Sequence, residues 1–346
     1  MGVNLVVLAG GLGTRLWPLT SLSGLRSGVC AGKALVPFVY GKRLVEVAVE
    51  NWGAICDSVV VVTSAGMGSA VKEVLGGLGE VEVVEEPGEG RGTFAAVDYV
   101  MARRLFGDDD YVLVVPVDGW FSDWSVALRC VEALVSDGNF VLGLLGAVPD
   151  RVEVGFGYVV PSSFSCLQAG EGEVQVSLVK EFREKPSREE AALLIRSGAL
   201  FNVGVFLFRV SDWGLLCGLV EGLRGVNDPI ARFVHPAALG SFDRKVVEPA
   251  VERMAVKVAK VDCKWFEIGH LKAFLEVKAE LEGFAGRQVL GSGNVACSSK
   301  SVRFFGCSDL AVIEIDDEIL VVRKDLLDDL RVLAFGDIPV LRKQVR

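Results

Sequence analysis

The sequence is short of the residues that usually announce chemistry. It holds two histidines, His235 and His270, which suggest no nucleophile–histidine triad. Its eight cysteines are scattered. No two form a C-x-x-C pair and none clusters with histidine at zinc spacing, so they read as small buried hydrophobes in a reducing compartment. Positive charge is not in excess. A net charge of −9 disfavours a general nucleic-acid binder, which needs a basic face. No apolar run reaches the roughly 18 residues of a membrane span. The first apolar run ends at Leu8, too short and too uncharged for a signal peptide. A Met1-Gly2 start invites lipidation, but Val6 occupies the position where that pattern wants Ser or Thr. The expectation is a cytoplasmic protein with no membrane partner. No internal repeat supports a β-helix.

What the chain does have is valine. Apolar residues make up 51% of its 346 positions, enough to bury a large core. Continuous strand-forming runs recur at 3–8, 57–63, 81–86 and 111–117. Helix-period segments at 43–52, 69–78 and 93–105 lie between them. Buried strands alternating with helices predict an α/β fold, a mainly parallel sheet covered on both faces. Further helices are expected at 124–136, 187–197 and 270–283, and strands at 139–147, 156–161, 174–183 and 203–210. The glycine-spaced stretch 284–293 marks a boundary. It divides a domain of 1–283 from a small β-rich domain of 284–346. That domain has too few strands for a core of its own and is expected to serve self-association as a homodimer.

The first strand runs into LAGGLGTRLWPLT, residues 8–20. Ala9, Gly10, Gly11 and Gly13 strip this loop of side chains just before a cation, Arg15. Glycines let a backbone approach a ligand, and successive N–H groups form an anion-binding concavity. The expected ligand is a phosphate; the alternative is a plain strand-to-helix turn with Arg15 solvated. Two common phosphate loops fail on spacing. A dinucleotide fingerprint beginning at Gly11 meets Leu16 where its third glycine belongs. A P-loop ending at Gly32-Lys33 has Ser27 and Ala34 at its other fixed positions.

LAGGLGTRLWPLT resembles the signature of the sugar-1-phosphate nucleotidyltransferases, and the resemblance continues in order along the chain. AGKALVPF (31–38) resembles their lysine motif and VPVDGWF (115–121) their metal-binding aspartate segment. VEVGFGYVV (152–160) resembles their sugar loop, EFREKP (181–186) their F-x-E-K-P motif and NVGVFLF (202–208) their N-x-G-x-F strand. WFEIGH (265–270) resembles their W-x-D-I-G motif. Trp17 and the Arg91-x-Thr93 that follows Glu86-Pro87 are most similar to mannose-1-phosphate guanylyltransferases. Several positions depart from the pattern. Glu267 replaces aspartate, Gly32 a proline, Gly92 an asparagine and Val203 a serine, and one extra residue separates Pro87 from Arg91.

The resemblance implies a Rossmann-like, GT-A-like nucleotidyltransferase fold and attack of a sugar phosphate on the α-phosphorus of a nucleotide. Both reactants are anions, so catalysis there means positioning and charge cancellation. It assigns Leu8, Ala9, Gly10, Gly11, Gly13, Thr14, Glu86, Pro87, Arg91 and Thr93 to the nucleotide, with the N–H groups from Gly10 to Thr14 on its phosphates and Glu86 at the base. Arg15 and Lys33 would neutralise phosphate charge. Asp118 and Glu267 would hold Mg²⁺. Lys185 would hold the sugar phosphate, with Gly155, Gly157, Tyr158, Glu184, Asn202 and Gly204 around the sugar. The implied substrates are GTP and mannose-1-phosphate. Another sugar and nucleotide pair, or a non-catalytic sugar-nucleotide-binding relative, stays open beside it.

Overall fold

The unbroken run VNLVVL becomes strand β1, Val3–Leu8. It lies between two further valine-rich strands, β2 (Ser58–Thr63) and β4 (Tyr111–Pro116), parallel to both. Strand β3 (Val81–Glu85) joins the far side of β2, again parallel. Parallel neighbours cannot be joined by a tight turn and need a crossover. Helices α1 (Leu44–Gly53), α2 (Gly68–Leu75) and α3 (Thr93–Ala102) supply those crossovers. The computed structural model describes residues 2–21, 32–282, 286–289, 292–298, 300–315 and 318–330.

The strands are buried on both faces. Val6, Val60, Val62, Val112 and Val114 share one core with Phe94, Val97 and Val100 of α3. The alternate residues Leu5, Val7, Val61, Leu113 and Val115 are equally buried on the opposite face. This is the two-sided burial that continuous valine runs predict.

Beyond β4 come the short strand β5 (Gly119–Phe121), helix α4 (Trp124–Asp137) and strands β6 (Leu142–Ala147), β7 (Gly157–Pro161), β8 (Ser165–Ala169) and β9 (Gly172–Glu184). Helix α5 (Arg188–Arg196) starts with a full capping box between Ser187 and Glu190 and leads to β10, Leu200–Arg209. The short helices α6 (Trp213–Cys217), α7 (Pro229–Val234) and α8 (Glu248–Arg253) precede β11, Val256–Val261. The large sheet has ten strands in the order β3-β2-β1-β4-β10-β6-β11-β9-β7, with β8 on β9. Tracing the pairings, β9 and β10 run against the other eight, so the sheet is mixed and mainly parallel. The chain continues through β12 (Trp265–Glu267) and α9 (Leu271–Glu282). The C-terminal region is β-rich: β13 (Gly286–Val289), β14 (Val295–Cys297), β15 (Val302–Phe305), β16 (Leu310–Ile315) and β17 (Glu318–Arg323).

The chain divides into two compact units. One is Met1–Gly10 with Ala48–Trp265; the other is Gly11–Val47 with Phe266–Arg346. The C-terminal strands thus share a unit with the segment after Gly10. The expected domain boundary at 283/284 lies outside the described residues. Within the second unit α9 packs on β14 and on the turn Lys324–Asp329. Its Leu271, Phe274, Leu275 and Val277 are buried, the Phe274 ring lies 5.0 Å from that of Phe38, and Glu276 pairs with Lys324 at 3.1 Å. Strand β14 and that turn therefore pack on a helix of their own unit.

The cysteines only partly match their expected role. Cys130 is buried, and its thiol is pushed up to about 12 by desolvation, but Cys166 on β8 is exposed. Among the described residues, no helix is long and apolar enough to cross a membrane.

Candidate active site

Strand β1 delivers the glycine loop at its carboxyl end, where open α/β sheets bind their ligands. The flanking strands fix the start of the loop: Leu8 C=O accepts from Val117 N–H at 3.3 Å, and Ala9 N–H donates to Val62 C=O at 2.8 Å. Ser64 Oγ donates to the Gly10 carbonyl.

In the first unit the loop faces Glu86, which follows β3. A Cβ on Gly10 would stand 3.3 Å from Glu86 Oε2, and one on Gly90 3.5 Å from the same atom. Glu86 is 5% exposed, and that oxygen has no hydrogen-bond partner among the described residues. Burial alone pushes its carboxyl up to about 7. A buried, unsatisfied carboxylate oxygen between two glycines is costly to stability and is the kind of group a ligand satisfies. Pro87 is exposed beside it.

The rest of this loop is tied to the segment before α8. Arg91 donates weakly to His235 C=O at 3.4 Å, and Arg91 C=O accepts from Gly240 N–H at 2.9 Å. Thr93 Oγ1 accepts from Phe242 N–H at 2.8 Å. Gly92 has φ +96°, and a Cβ there would lie 2.3 Å from Gly240 O. That contact accounts for glycine at a position where the resemblance led one to expect asparagine.

A second cluster surrounds the sugar-loop motifs. Gly157 on β7 is paired with Glu184 on β9, and a Cβ on Gly157 would come within 2.9 Å of Glu184 Oε2. Glycine is therefore what lets the Glu184 carboxylate pass. Lys185, at φ +53°, donates its backbone N–H to Phe156 C=O, and its Nζ lies 3.4 Å from Glu184 Oε1. The Glu184 side chain is 6% exposed and that of Lys185 52% exposed. Asn202 Nδ2 donates to Asp243 Oδ1 at 2.6 Å, and Gly204 N–H donates to Asn202 Oδ1 at 3.2 Å. Gly155 N–H donates to Glu153 Oε1 at 3.1 Å. Tyr158 is fully buried, and its hydroxyl donates to Glu153 C=O at 2.7 Å. It braces the 153–157 loop from behind. Asp118, in the turn between β4 and β5, is also buried.

In the second unit Gly11 and Gly13 have a role that loop composition did not reveal. A Cβ on Gly11 would stand 2.9 Å from Lys33 Cε, and one on Gly13 2.7 Å from Lys33 Cβ. Lys33 N–H donates to Gly11 C=O at 3.1 Å. The two glycines admit the lysine stem. Gly32 has φ +66°, a value closed to the proline seen in the resembling motif. Thr14 and Arg15 lie in the single turn Thr14–Leu16. The Arg15 guanidinium donates to Glu267 Oε1 at 3.2 Å and to His270 Nε2. His270 Nε2 is also 3.2 Å from Glu267 Oε2. Sequence reasoning paired Glu267 with a metal; here its carboxylate is engaged by Arg15. Among the described residues no three metal-ligating side chains form a group.

Sequence reasoning did not single out Asp243, Gly240 or Gly90. Asp243 and Gly240 stand in no motif that sequence reasoning used and matter through contacts distant in sequence, with Asn202 and Gly92; Gly90 lies between the motif residues Pro87 and Arg91 and matters through Glu86.

The protein is thus an α/β sheet protein with a glycine loop at the carboxyl end of β1, a buried carboxylate against that loop, and Glu184, Lys185 and Asn202 at β9 and β10. The sequence pattern of the nucleotidyl transferase family matches residues 4–283, and the chain belongs to that family. It is 27% identical over 354 positions to the mannose-1-phosphate guanylyltransferase of Escherichia coli (strain K12), covering 94% of this chain and 71% of that protein. It is 26% identical to mannose-1-phosphate guanylyltransferase ManC of Salmonella typhimurium (strain LT2), with the same coverage of 94% and 71%. Among solved structures it resembles one from Thermus thermophilus described as a mannose-1-phosphate geranyltransferase. The TM-score is 0.74 at 25% identity, over 96% of this chain and 98% of that one. A UDP-glucose pyrophosphorylase complexed with UDP-glucose shares the fold, with a TM-score of 0.57 at 17% identity over 82% of this chain and 99% of that one.

Proposed function

We propose that this nucleotidyltransferase transfers a guanylyl group from GTP to mannose-1-phosphate, giving GDP-mannose and pyrophosphate. The observation that carries the guanine reading is the buried, unpartnered Glu86 oxygen between Gly10 and Gly90. Guanine presents two adjacent donors, N1–H and the 2-amino group, and one carboxylate accepts both. The named relatives in Escherichia coli and Salmonella support the mannose reading.

In this reading the sugar phosphate attacks the α-phosphorus in line. The new P–O bond forms as the bond to the β-phosphate oxygen breaks, and pyrophosphate leaves with the electron pair. Backbone N–H groups of the glycine loop hold the nucleotide phosphates, and Lys33 reaches the α-phosphate. Lys185 holds the sugar phosphate, while Glu184 and Asn202 take sugar hydroxyls. Arg15 leaves Glu267 for the departing phosphates. Asp118 fits Mg²⁺ as a buried hard-oxygen donor at a strand end. The resemblance would supply Glu267 and substrate phosphates as its other ligands. When bound, the ion withdraws charge from the α-phosphoryl oxygens.

The protein is further proposed to act as a cytoplasmic homodimer. Ile319 and Val321 of edge strand β17 are more than half exposed and offer an apolar contact. Pyrophosphate release across four nucleoside triphosphates, each with mannose- or glucose-1-phosphate, tests the activity. The expected best pair is GTP with mannose-1-phosphate. Faster turnover with UTP, dTTP or ATP removes the guanylyl assignment, and no release with any pair leaves a non-catalytic relative.

A further inference from the structure

Both ends of the Asn202 amide are already committed within the protein. Nδ2 donates to Asp243 Oδ1 at 2.6 Å, and Oδ1 accepts from Gly204 N–H at 3.2 Å. A carboxylate accepts and a backbone N–H donates, so these contacts fix which end of the amide is which. One Nδ2 hydrogen and one Oδ1 lone pair are left over. Asn202 is 7% exposed, so its side chain has little freedom to re-orient.

Asp243 occupies an unusual place. It opens the single π turn Asp243–Val247, a local widening that recurs at functional sites. The preceding residues are held by Thr93, through Phe242 N–H, and by Arg91, through Gly240 N–H. A second acid, Glu184, faces it; burial and then the Glu184 charge push the Asp243 carboxyl up to about 6. Packing alone favours an apolar side chain at such a position. A buried carboxylate beside another, with an amide bonded to it, is an arrangement that recurs at functional sites.

We infer that Asp243 is a positioning residue of the sugar-phosphate site. It clamps the Asn202 amide so that one N–H and one oxygen lone pair of Asn202 point at neighbouring hydroxyls of a sugar 1-phosphate. This rests on the reading of Lys185, Glu184 and Asn202 as the sugar-phosphate side of the active site. Asp243 itself acts through Asn202, and its removal costs sugar affinity and not nucleotide affinity.

Calorimetric titration of mannose-1-phosphate, glucose-1-phosphate and GTP tests this on the full chain. Asp243→Ala should weaken sugar-phosphate binding by about tenfold, roughly the loss of one well-placed hydrogen bond, while GTP binding stays within about twofold. Asp243→Asn keeps an oxygen that accepts from Asn202 and should stay within about threefold of wild type. In an Asn202→Ala background Asp243→Ala should add nothing, because coupled residues are non-additive. If Asp243→Ala does not fold, Asp243→Ser takes its place in both arms. Unchanged sugar affinity in Asp243→Ala, an equal loss in Asp243→Asn, or additive losses overturn the inference alone. Binding of neither sugar phosphate by the wild type overturns the site reading with it. Binding of glucose-1-phosphate only removes mannose as substrate and leaves the Asp243 test intact on that sugar.

Discussion

Glu86 Oε2 lies against Gly10, 3.3 Å from where a β-carbon would stand, and no described residue satisfies it. If the guanine donors are its partner, GTP binding selects the ionised carboxylate. Burial pushes this carboxyl up to about 7. GTP affinity should therefore rise with pH and level off above about 7, falling by up to about tenfold per unit below that. Glu86→Gln should abolish this dependence and lose more activity with GTP than with ATP, by about 1–3 kcal/mol for a buried donor left unpaired. Nucleotide titrations from acid to mildly alkaline pH, in wild type and variant, check both. Equal losses with the two nucleotides mean that Glu86 does not read the base.

The same shifts set the pH dependence of stability. Burial raises Glu86 to about 7 and Asp243 to about 6 in the folded chain, from ordinary values of 4.5 and 3.8. Between the unfolded and folded values the native state binds more protons, so stability falls as pH rises through this window. The contribution is fully present below the unfolded values and is gone above about 7. Chemical denaturation between pH 4 and 8, comparing wild type with Glu86→Gln, should show this slope reduced in the variant.

Gly92→Ala should destabilise the fold by at least about 2 kcal/mol, through positive φ and a backbone clash that no rotamer relieves. The clash is with Gly240 O, 2.3 Å from the new β-carbon. Gly88→Ala meets nothing within 4 Å and serves as the control. Urea midpoints at constant slope measure the difference.

Asp118→Asn should cut turnover by about 10²–10³, the usual loss when one group that stabilises transition-state charge is removed. The buried site keeps its shape, so the melting temperature should hold. Glu267→Gln should be severe and Glu267→Asp partial, since Asp keeps the charge but shortens the arm. Because Arg15 is paired with Glu267, the Gln variant should also change the dependence of turnover on pyrophosphate. Wild-type turnover with unchanged Mg²⁺ dependence in both Asp118→Asn and Glu267→Gln places the metal elsewhere.

Truncation after Gly283 should lower the oligomer number in solution, as measured by light scattering. It should also destabilise the remainder, because Phe274 and Val277 of α9 are buried in the unit that the C-terminal strands complete. An unchanged oligomer number would leave the C-terminal region a purely intramolecular cover.

The first half of the fold was legible because its signals are local. Valine runs, helical spacing and strand-end glycines put β1 to β4 and α1 to α3 within a few residues of where they lie. The later part was harder. VKVAKV, now β11, alternates weakly and was not assigned, yet it pairs in parallel with β6 inside the sheet. Long-range pairing, not propensity, makes it a strand. The reversed directions of β9 and β10 are likewise set by partners distant in sequence. In the candidate site, residues in ordered motifs could be picked out, whereas Asp243 and Gly240 could not. Their roles depend on Asn202 and Gly92, and neither pair has a spacing that sequence alone marks.

The backbone contact between Gly92 and Gly240 has one more consequence. It joins the loop that carries Glu86 to the turn that carries Asp243, with no side chain between them to absorb a displacement. A ligand that shifts either loop should therefore be felt by the other, and each substrate should change the dissociation constant of the other by the same factor, as thermodynamic reciprocity requires.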